Sequence, residues 1–481
     1  MKNIKVDVAI IGAGTAGMVA YSTLTKRTEK AVLIEGGQYG TTCARVGCMP
    51  SKLLIAAAET AHTIEEAPAF GIFPRGKTRI DGVKVMERVR KERDRFVGFV
   101  LDTIEEIPAR NKLRGYARFL DDNTLQVEDH SLVKAKSVII ATGSSPSILP
   151  MFEGLGERLI VNDDIFYWDD LPSSVVVFGA GIIGLEIGQA LNRLGVRTVI
   201  LSKQGLVGPL NHPEIKDYAR KTFSEEFYID TDALVYGVER RDDKVEVRFK
   251  GLDGKDRCEE FDYVLAATGR VPNVKNLGLE NTGLELDSRG VPVFDHYTLQ
   301  CGKSSIFIAG DSNNYLPLLH EAADEGHIAG GNAAAYPDIS AGMRRTPLTI
   351  VFTDPEIAVV GSGYHELKKR EGFCFVTGRV SFGNQGRSRV MRQNKGLLHI
   401  YAEYGSGLFA GAEMFGPRAE HIGQLLAWAH QMKMTIPRML EMPFYHPVIE
   451  EGLRTALRDA NEKLHMGKAL AENSIECGPG V

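Results

Sequence analysis

Cysteine is scarce in this chain, with six residues among 481. Scaffolds held by structural disulfides use cysteine for more than about 8% of their residues, so that class is excluded. Four of the six are isolated in the sequence, and only Cys43 and Cys48 lie close together. A close pair in a reducing compartment indicates redox chemistry or a metal site. We favour redox chemistry and expect no metal site, because no second cysteine or histidine pair lies nearby.

Long apolar runs and a strong charge imbalance are also absent. No run reaches the ~18 apolar residues that a membrane helix requires. The formal net charge of -5 gives no electrostatic reason to bind nucleic acid or an anionic membrane. The apolar start VDVAIIGAG leads into a glycine-rich turn, so it is interpreted as a strand and not as a secretory signal. We therefore expect a cytoplasmic protein with neither a nucleic-acid partner nor a membrane partner.

Two segments repeat one pattern, VDVAIIGAGTAGMVA at 6–20 and SVVVFGAGIIGLEIG at 174–188. In each, Gly-x-Gly-x-x-Gly follows an apolar run and precedes an apolar helix start. In a dinucleotide-binding βαβ unit, the first glycine allows a tight turn, the second admits a pyrophosphate and the third lets helix and strand pack closely. The repeat predicts two dinucleotide sites. Their glycines are Gly12, Gly14 and Gly17 in the first copy and Gly179, Gly181 and Gly184 in the second.

The partner strand of each unit ends differently. KAVLIE ends on Glu35, the acid expected to bond a ribose diol. VRTVILSK ends near Ser202 and Lys203, without an acid. A hydroxyl and a cation are favourable for a 2′-phosphate, so the second site leaves NAD and NADP open.

Cys43 and Cys48 cannot be bridged within one regular helix. Five residues correspond to about 7.5 Å of helical rise, whereas a disulfide requires Cα atoms within about 7 Å. Gly47 and Pro50 indicate a distorted entry turn, with Pro50 at the first helical position. We therefore expect Cys48 at a helix N-terminus, where the dipole stabilises a thiolate and lowers its pKa.

The segment Cys43-Ala-Arg-Val-Gly-Cys48-Met-Pro-Ser-Lys resembles the redox-active signature of the class I pyridine nucleotide–disulfide oxidoreductases. The resemblance extends over about residues 6–465. It implies FAD at the first glycine motif and Glu35, Cys48 against the flavin, and Cys43 as the sulfur that exchanges with substrate. Further cofactor contacts are implied at Thr142, Gly143, Gly269, Asp311 and His320.

The same resemblance implies the remaining catalytic groups. Lys52 matches the family lysine beside the flavin, and Glu186 matches the acid that pairs with it. FYHPVIEEGLRTALRD resembles the family His-Pro-x-x-x-Glu, which makes His446 the general acid–base and Glu451 the group that holds its ring. Histidine titrates near neutral pH, as a thiol proton shuttle requires. In the family this histidine reaches the other subunit's active site, which implies a homodimer.

Within the family, Ser51 resembles the dihydrolipoyl dehydrogenases and the mercuric reductases. The vicinal C-terminal cysteines of the latter are missing, since the tail carries only Cys477. The expected function is electron transfer between a small thiol, disulfide or lipoyl substrate (dihydrolipoamide foremost), the cysteine pair, FAD and NAD(P). Departures from the dihydrolipoyl pattern at Thr41, Ala44 and Arg45 keep two alternatives open. One is an NADPH-dependent reductase of another disulfide, glutathione-reductase-like, or of a metal ion, mercuric-reductase-like. The other is a redox-sensing flavoprotein without turnover.

Gly184 and Gly188 resemble the NAD-dependent members, so NAD is expected, with NADP as the alternative. The predicted fold is α/β, with two Rossmann-like dinucleotide-binding domains for FAD and NAD(P) and a C-terminal α+β dimerisation domain. The predicted boundaries are 1–150 and 274–345 for the FAD-binding part, 151–273 for the NAD(P)-binding domain, 346–465 for the dimerisation domain and 466–481 for a C-terminal tail.

Overall fold

The computed structural model describes residues 1–74, 76 and 78–465, so the predicted tail and Cys477 lie outside the described residues. The strands are β1 Lys2–Ile11, β2 Ala31–Glu35, β3 Lys112–Arg114, β4 Ala117–Asp121, β5 Thr124–Val127, β6 Ser131–Ile140, β7 Ser144–Pro146, β8 Leu159–Ile160, β9 Ser174–Phe178, β10 Arg197–Leu201, β11 Tyr228–Asp230, β12 Val235–Arg241, β13 Lys244–Lys250, β14 Asp256–Phe261, β15 Tyr263–Ala266, β16 Arg270–Pro272, β17 Ile306–Ile308, β18 Leu348–Val351, β19 Glu356–Gly361, β20 Phe375–Ser381, β21 Leu397–Glu403 and β22 Phe409–Gly416. The α-helices are α1 Thr15–Leu24, α2 Thr42–Val46, α3 Cys48–Glu66, α4 Gly82–Glu105, α5 Asn162–Ile165, α6 Ile182–Arg193, α7 Pro213–Ser224, α8 Leu319–Ala335, α9 Tyr364–Lys369, α10 Gly386–Met391, α11 Ala419–Gln431, α12 Ile436–Leu440 and α13 Glu451–Leu464.

The first sheet has the strand order β3-β2-β1-β6-β5-β4, and β17 pairs with β6 from much later in the chain. Strands β3, β2, β1 and β6 are parallel, whereas β4, β5 and β6 form an antiparallel meander. In β1, Val8 and Ile10 share a core with α1 and α8, while Ala9 and Ile11 share one with the meander. Both faces of this strand are therefore covered, which explains its continuous apolar run.

The second sheet has the order β11-β10-β9-β15-β8 and is parallel throughout. Its central pair repeats the register of the first sheet. Ile11 of β1 lies opposite Ile34 of β2, and Phe178 of β9 lies opposite Leu201 of β10. The next residue along each second strand, Glu35 in one unit and Ser202 in the other, therefore occupies an equivalent position.

The three glycines of the first motif have three different environments. Gly12 has a φ of +108°, and a Cβ there would lie 2.2 Å from the Ala141 carbonyl oxygen. A Cβ on Gly17 would lie 1.9 Å from the Gly12 carbonyl oxygen, so α1 packs against the turn at this point. A Cβ on Gly14 would meet nothing within 4 Å, which leaves open space at the start of the helix. The second motif shows the same three environments.

The C-terminal part forms an antiparallel sheet of order β18-β19-β22-β21-β20, with α11 and α13 packed against it. Two smaller sheets, β12-β13-β14 and β16-β7, complete the architecture. The fold class predicted from the sequence is confirmed. Among the residues that the structure describes, no helix has both the length and the apolar character needed to cross a bilayer.

Candidate active site

The two cysteines lie on either side of a break in the helical chain. Cys43 belongs to α2 and Cys48 begins α3, while Gly47 between them has φ -124° and ψ -118°, outside the helical region. A Cβ on Gly47 would lie 3.1 Å from the Cys43 Cα, so the chain folds back closely here. The expected distorted entry turn is present. The expectation that Pro50 is the first helical residue is wrong, because Pro50 is the third residue of α3, a position whose amide also lacks an intrahelical partner.

The two sulfurs have unequal acidities. A hydrogen bond from the Cys43 thiol, together with the positive charge of Lys52, lowers the pKa of Cys48 to about 7 against the opposing effect of burial. The same hydrogen bond and burial raise the pKa of Cys43. Near neutral pH the negative charge of the pair is therefore favoured on Cys48 while Cys43 keeps its proton, and thiolate is the reactive form in disulfide exchange.

An ion pair lies next to the dithiol. The Lys52 Nζ donates to the Glu186 Oε2 at 2.6 Å and lies 4.6 Å from the centroid of the Phe352 ring. The backbone amide of Phe352 donates to the other carboxylate oxygen of Glu186 at 2.9 Å. The Glu186 side chain is 5% exposed, so its charge is compensated almost entirely by these two donors.

A cleft of about 470 Å³ brings the dithiol and the two glycine motifs together. The predicted site residues that line it are Cys43, Cys48, Lys52, Glu186, Gly14, Gly181, Gly143, Gly269 and Asp311. The other predicted contact residues are not among its lining: Gly12, Gly17, Glu35, Thr142, Gly179, Gly184, Ser202, Lys203 and His320. The His320 ring, which is nearly half exposed, lies 3.9 Å from the Glu321 carboxylate.

The acid of the first unit and the hydroxyl of the second make equivalent hydrogen bonds. The Glu35 carboxylate accepts from the backbone amides of Ala13 and Gly37, each at 2.7 Å. The Ser202 Oγ accepts from the backbone amide of Ala180 at 3.1 Å, which is the counterpart of the Ala13 contact. Both side chains are therefore held against the glycine turn that precedes their helix.

Sequence reasoning missed a polar group on the cleft wall. The Ser144 Oγ donates to the Asp311 Oδ2 at 2.7 Å and accepts from the Arg270 Nε at 2.8 Å. Ser144 and Arg270 each directly follow an Ala-Thr-Gly segment, and this shared position is the sequence feature that could have identified them. The Thr142 Oγ1, one residue before Gly143, is buried and has no protein hydrogen-bond partner.

His446 and Glu451 are in contact, away from this cleft. The His446 Nδ1 lies 2.8 Å from the Glu451 Oε1, and the Glu451 Oε2 accepts from the Val448 amide at 3.2 Å. Glu451 begins α13, where the helix dipole favours a negative charge. The imidazole is 58% exposed while the carboxylate is 3% exposed, so the pair presents its ring outward. Neither residue lines the cleft of its own chain.

The family model for pyridine nucleotide-disulphide oxidoreductases matches residues 6–326, and the model for the dimerisation domain of that family matches residues 348–457. The chain belongs to this family. The resemblance found in the dithiol segment is thereby confirmed, and oxidoreductases of this family use FAD and NAD(P). The cysteine pair, the two glycine motifs and the C-terminal sheet thus belong to a flavoprotein disulfide oxidoreductase.

Relatives of this oxidoreductase match it over nearly its whole length. The dihydrolipoyl dehydrogenase of Geobacillus stearothermophilus is 31% identical, covering 93% of this chain and 94% of the relative. The dihydrolipoyl dehydrogenase of Chlamydia pneumoniae is 29% identical, and the match covers 95% of this chain and 98% of the relative. Among solved structures, LpdA from Mycobacterium tuberculosis has a TM-score of 0.78 at 25% identity, covering 95% and 99%. The flavoprotein disulfide reductase RclA from Escherichia coli shares the fold, with a TM-score of 0.79 at 21% identity, covering 96% and 100%.

The oxidoreductase has a strained residue next to its dithiol. Thr41 has φ +54° and ψ 151°, a region that β-branched residues rarely adopt. Its Oγ1 accepts from the Ala44 amide at 3.3 Å and so caps α2. The cap offsets part of a backbone cost of about 1–3 kcal/mol.

Replacing Thr41 with glycine is therefore expected to raise the melting temperature of the holoenzyme. Glycine adopts this backbone without strain, and at an N-cap it costs only a few tenths of a kcal/mol relative to threonine. The control is Thr60→Gly, an exposed interior position of α3, which is expected to lower the melting temperature slightly. A melting temperature for Thr41→Gly at or below that of the wild type would contradict the assignment of strain.

The charges around Cys48 predict opposite effects of two substitutions. Lys52→Met removes the cation that lowers the Cys48 pKa, so this pKa is expected to rise above about 7. Glu186→Gln removes an anion that raises it, so the pKa is expected to fall. The measurement is the pH dependence of Cys48 alkylation in the reduced enzyme, located by mass spectrometry. The control is Lys221→Met, which breaks a lysine–carboxylate pair elsewhere on the surface. Shifts of the same sign in both site variants would refute this electrostatic account.

Proposed function

We propose that this oxidoreductase transfers electrons between a lipoyl-type dithiol substrate and NAD(P), through the Cys43–Cys48 pair and FAD, as a homodimer. The observation that carries the proposal is the unequal acidity of the two sulfurs in a cleft shared with both glycine motifs. An exchange pathway needs one sulfur that leaves readily as thiolate and a second that meets the substrate. Cys48 suits the first role and Cys43 the second.

The residues of the first unit fit FAD. Gly14 has open space where a Cβ would stand, and the amides at the start of α1 have no side-chain cap. Such an uncapped helix start binds a pyrophosphate. Glu35 ends the partner strand β2, the position from which an acid bonds a ribose diol in this type of unit. Asp311, held by Ser144, offers a carboxylate to the ribityl chain. Bound FAD would supply the two-electron acceptor and hydride chemistry that connects the dithiol to the nicotinamide.

The protein's own groups account for the exchange half of the reaction. A substrate thiolate attacks the Cys43 Sγ, the Cys43–Cys48 bond breaks, and its electron pair remains on Cys48. The second substrate thiol then displaces Cys43, which releases the oxidised disulfide product and leaves two electrons on the cysteine pair. Lys52 stabilises the Cys48 thiolate that results. His446 accepts the proton of the attacking thiol, and Glu451 fixes the tautomer of its ring.

The position of His446 supports a site completed by a second subunit. The His446–Glu451 pair does not line the dithiol cleft of its own chain, and its imidazole is exposed. Along α11 and its end, Leu425, Trp428 and Met432 form an exposed apolar stripe at helical spacing. Such a stripe within the matched dimerisation domain is the expected contact face of a homodimer.

Mixed dimers test this arrangement. Cys43→Ser and His446→Gln homodimers are each expected to lose dithiol oxidation. A heterodimer of one chain of each kind, isolated through two affinity tags, contains one site with both groups intact. It is therefore expected to recover up to half of the wild-type activity. Recovery of none would place the two residues in the same chain's site and overturn the proposal.

Ser202 and Lys203 favour NADP(H), the alternative to the expected NAD, at the second site. Ser202 stands where the first unit has its ribose-binding acid, so the second unit presents no carboxylate to repel a 2′-phosphate. The exposed ammonium of Lys203 follows directly. In the second unit Gly181 has open space and α6 starts without a side-chain cap, as in the first.

Lipoyl groups are the proposed substrate class because the 31% and 29% identical relatives are named dihydrolipoyl dehydrogenases. Thr41, Ala44 and Arg45 alter the dithiol loop, so a glutathione-type disulfide is the competing substrate. The predicted domain boundaries and the cytoplasmic location also stay predictions.

Steady-state assays separate these candidates. We expect lipoamide turnover to exceed glutathione disulfide turnover, and NADPH to be preferred over NADH. Ser202→Glu is expected to weaken NADPH use by about tenfold or more, since it places a charge against the 2′-phosphate and supplies a ribose acceptor for NADH. Lys221→Ala, a lysine in the last turn of helix α7, is the control. Inactivity with lipoamide alongside activity with glutathione disulfide would refute the lipoyl assignment. A yellow protein that no dithiol reduces would favour a sensing role.

A further inference from the structure

Two buried histidines and a glutamate, none of which lines the dithiol cleft, meet at one point in the structure. His212 is the N-cap residue of α7, Glu214 lies in the first turn of that helix, and His399 lies on β21 of the C-terminal sheet. One nitrogen or oxygen from each residue lies within 4.8 Å of the others. His212 and His399 are 6% and 1% exposed, and their ring centroids are 4.2 Å apart. The cluster thus joins the second nucleotide-binding unit to the C-terminal sheet.

His399 has no hydrogen-bond partner that would explain its burial. Its Nδ1 is fully buried and unbonded, and its Nε2 lies 3.5 Å from the Glu214 Oε2, at the limit of hydrogen-bond range. Leaving a buried polar atom unpaired is unfavourable unless something absent from the protein chain satisfies it. A buried imidazole nitrogen left unpaired in this way can serve as a ligand for a metal ion.

We infer that His212, His399 and Glu214 bind a divalent transition-metal ion, for which zinc is the best candidate. The bound ion connects the second nucleotide-binding unit to the C-terminal sheet. Two imidazoles and one carboxylate form a three-residue zinc set that leaves a fourth position for water. Imidazole ligands disfavour magnesium and calcium, which select oxygen. Zinc has no redox chemistry of its own, so the site is separate from electron transfer.

Closing the site requires only small movements. Ligand atoms about 2.1 Å from a tetrahedral ion stand about 3.4 Å apart, compared with the 4.8 Å limit of the present cluster. Glu214 is half exposed and is free to turn inward. This movement would break the exposed ion pair between Glu214 and the Arg379 guanidinium, which lie 3.2 Å apart. An exposed pair of this kind contributes little net stability.

The site also has a competing contact and a charge that favours the ion. The His212 Nδ1 accepts a hydrogen bond from the Glu214 amide at 3.2 Å, which caps α7. Coordination through Nε2 moves the ring proton to Nδ1, so this hydrogen bond is lost when the metal bond forms. The fully buried Glu413 accepts from the backbone amides of Asn211 and His212. The carboxylates of Glu413 and Glu214 together balance the two charges of the ion.

The test is zinc binding to the oxidised holoenzyme, in which the Cys43–Cys48 disulfide offers no thiolate ligand. Isothermal titration with zinc chloride is expected to give one high-affinity ion per protomer, and magnesium chloride none. Zinc is also expected to raise the melting temperature by about 2 °C or more. In His399→Leu this binding should weaken by more than about tenfold, and in Glu214→Gln it should also weaken.

The controls separate a ligand from a structural residue. His365→Leu makes the same change at an exposed histidine close by and should keep the wild-type zinc affinity. Without zinc, His399→Leu should melt no lower than wild type, because leucine removes an unpaired buried nitrogen. Equal zinc binding by wild type and His399→Leu, or loss of the ion only in His446→Gln, would overturn the proposal. Wild-type enzyme that binds no zinc would do the same.

Discussion

A single buried carboxylate holds three parts of this enzyme in register. Glu186 lies on α6 of the second nucleotide-binding unit and accepts from Lys52 on the dithiol helix α3. Its other oxygen accepts from the amide of Phe352, at the end of the first strand of the C-terminal sheet. Because a buried charge is stable only while its partners remain in place, the two nucleotide units and the C-terminal sheet cannot shift independently at this point. The position of the dithiol depends on that constraint.

The inequality of the two sulfurs follows from the same arrangement. A continuous helix would have separated Cys43 from Cys48, and the break at Gly47 brings them within hydrogen-bond reach. Their shared proton then resides on Cys43, since Lys52 favours the negative charge on Cys48. Glu186 opposes this effect, so the thiolate is stabilised to an intermediate degree. Backbone geometry thus sets the pairing, and the ion pair adjusts its acidity.

The sequence was most informative where function depends on local spacing. Gly-x-Gly-x-x-Gly after an apolar run predicted the turn at Gly12 and the open space at Gly14, because both follow from adjacent residues. Contacts between elements far apart in the sequence were predicted only through the family resemblance, as for Lys52 with Glu186, or were not predicted. Nothing local signals that Thr41 adopts a positive φ, or that His212 meets His399. His320, expected to contact cofactor, does not line the cleft.

The unequal acidities also couple electron transfer to protons. Reduction of the disulfide adds two electrons, and the number of protons that follow depends on pH. Below about pH 7 both sulfurs are protonated, whereas above it only Cys43 is. The reduction potential of the pair therefore falls by about 59 mV per pH unit on the acid side and by about 30 mV on the alkaline side. Lowering the pH therefore raises the reduction potential of this pair, and does so most steeply below neutrality.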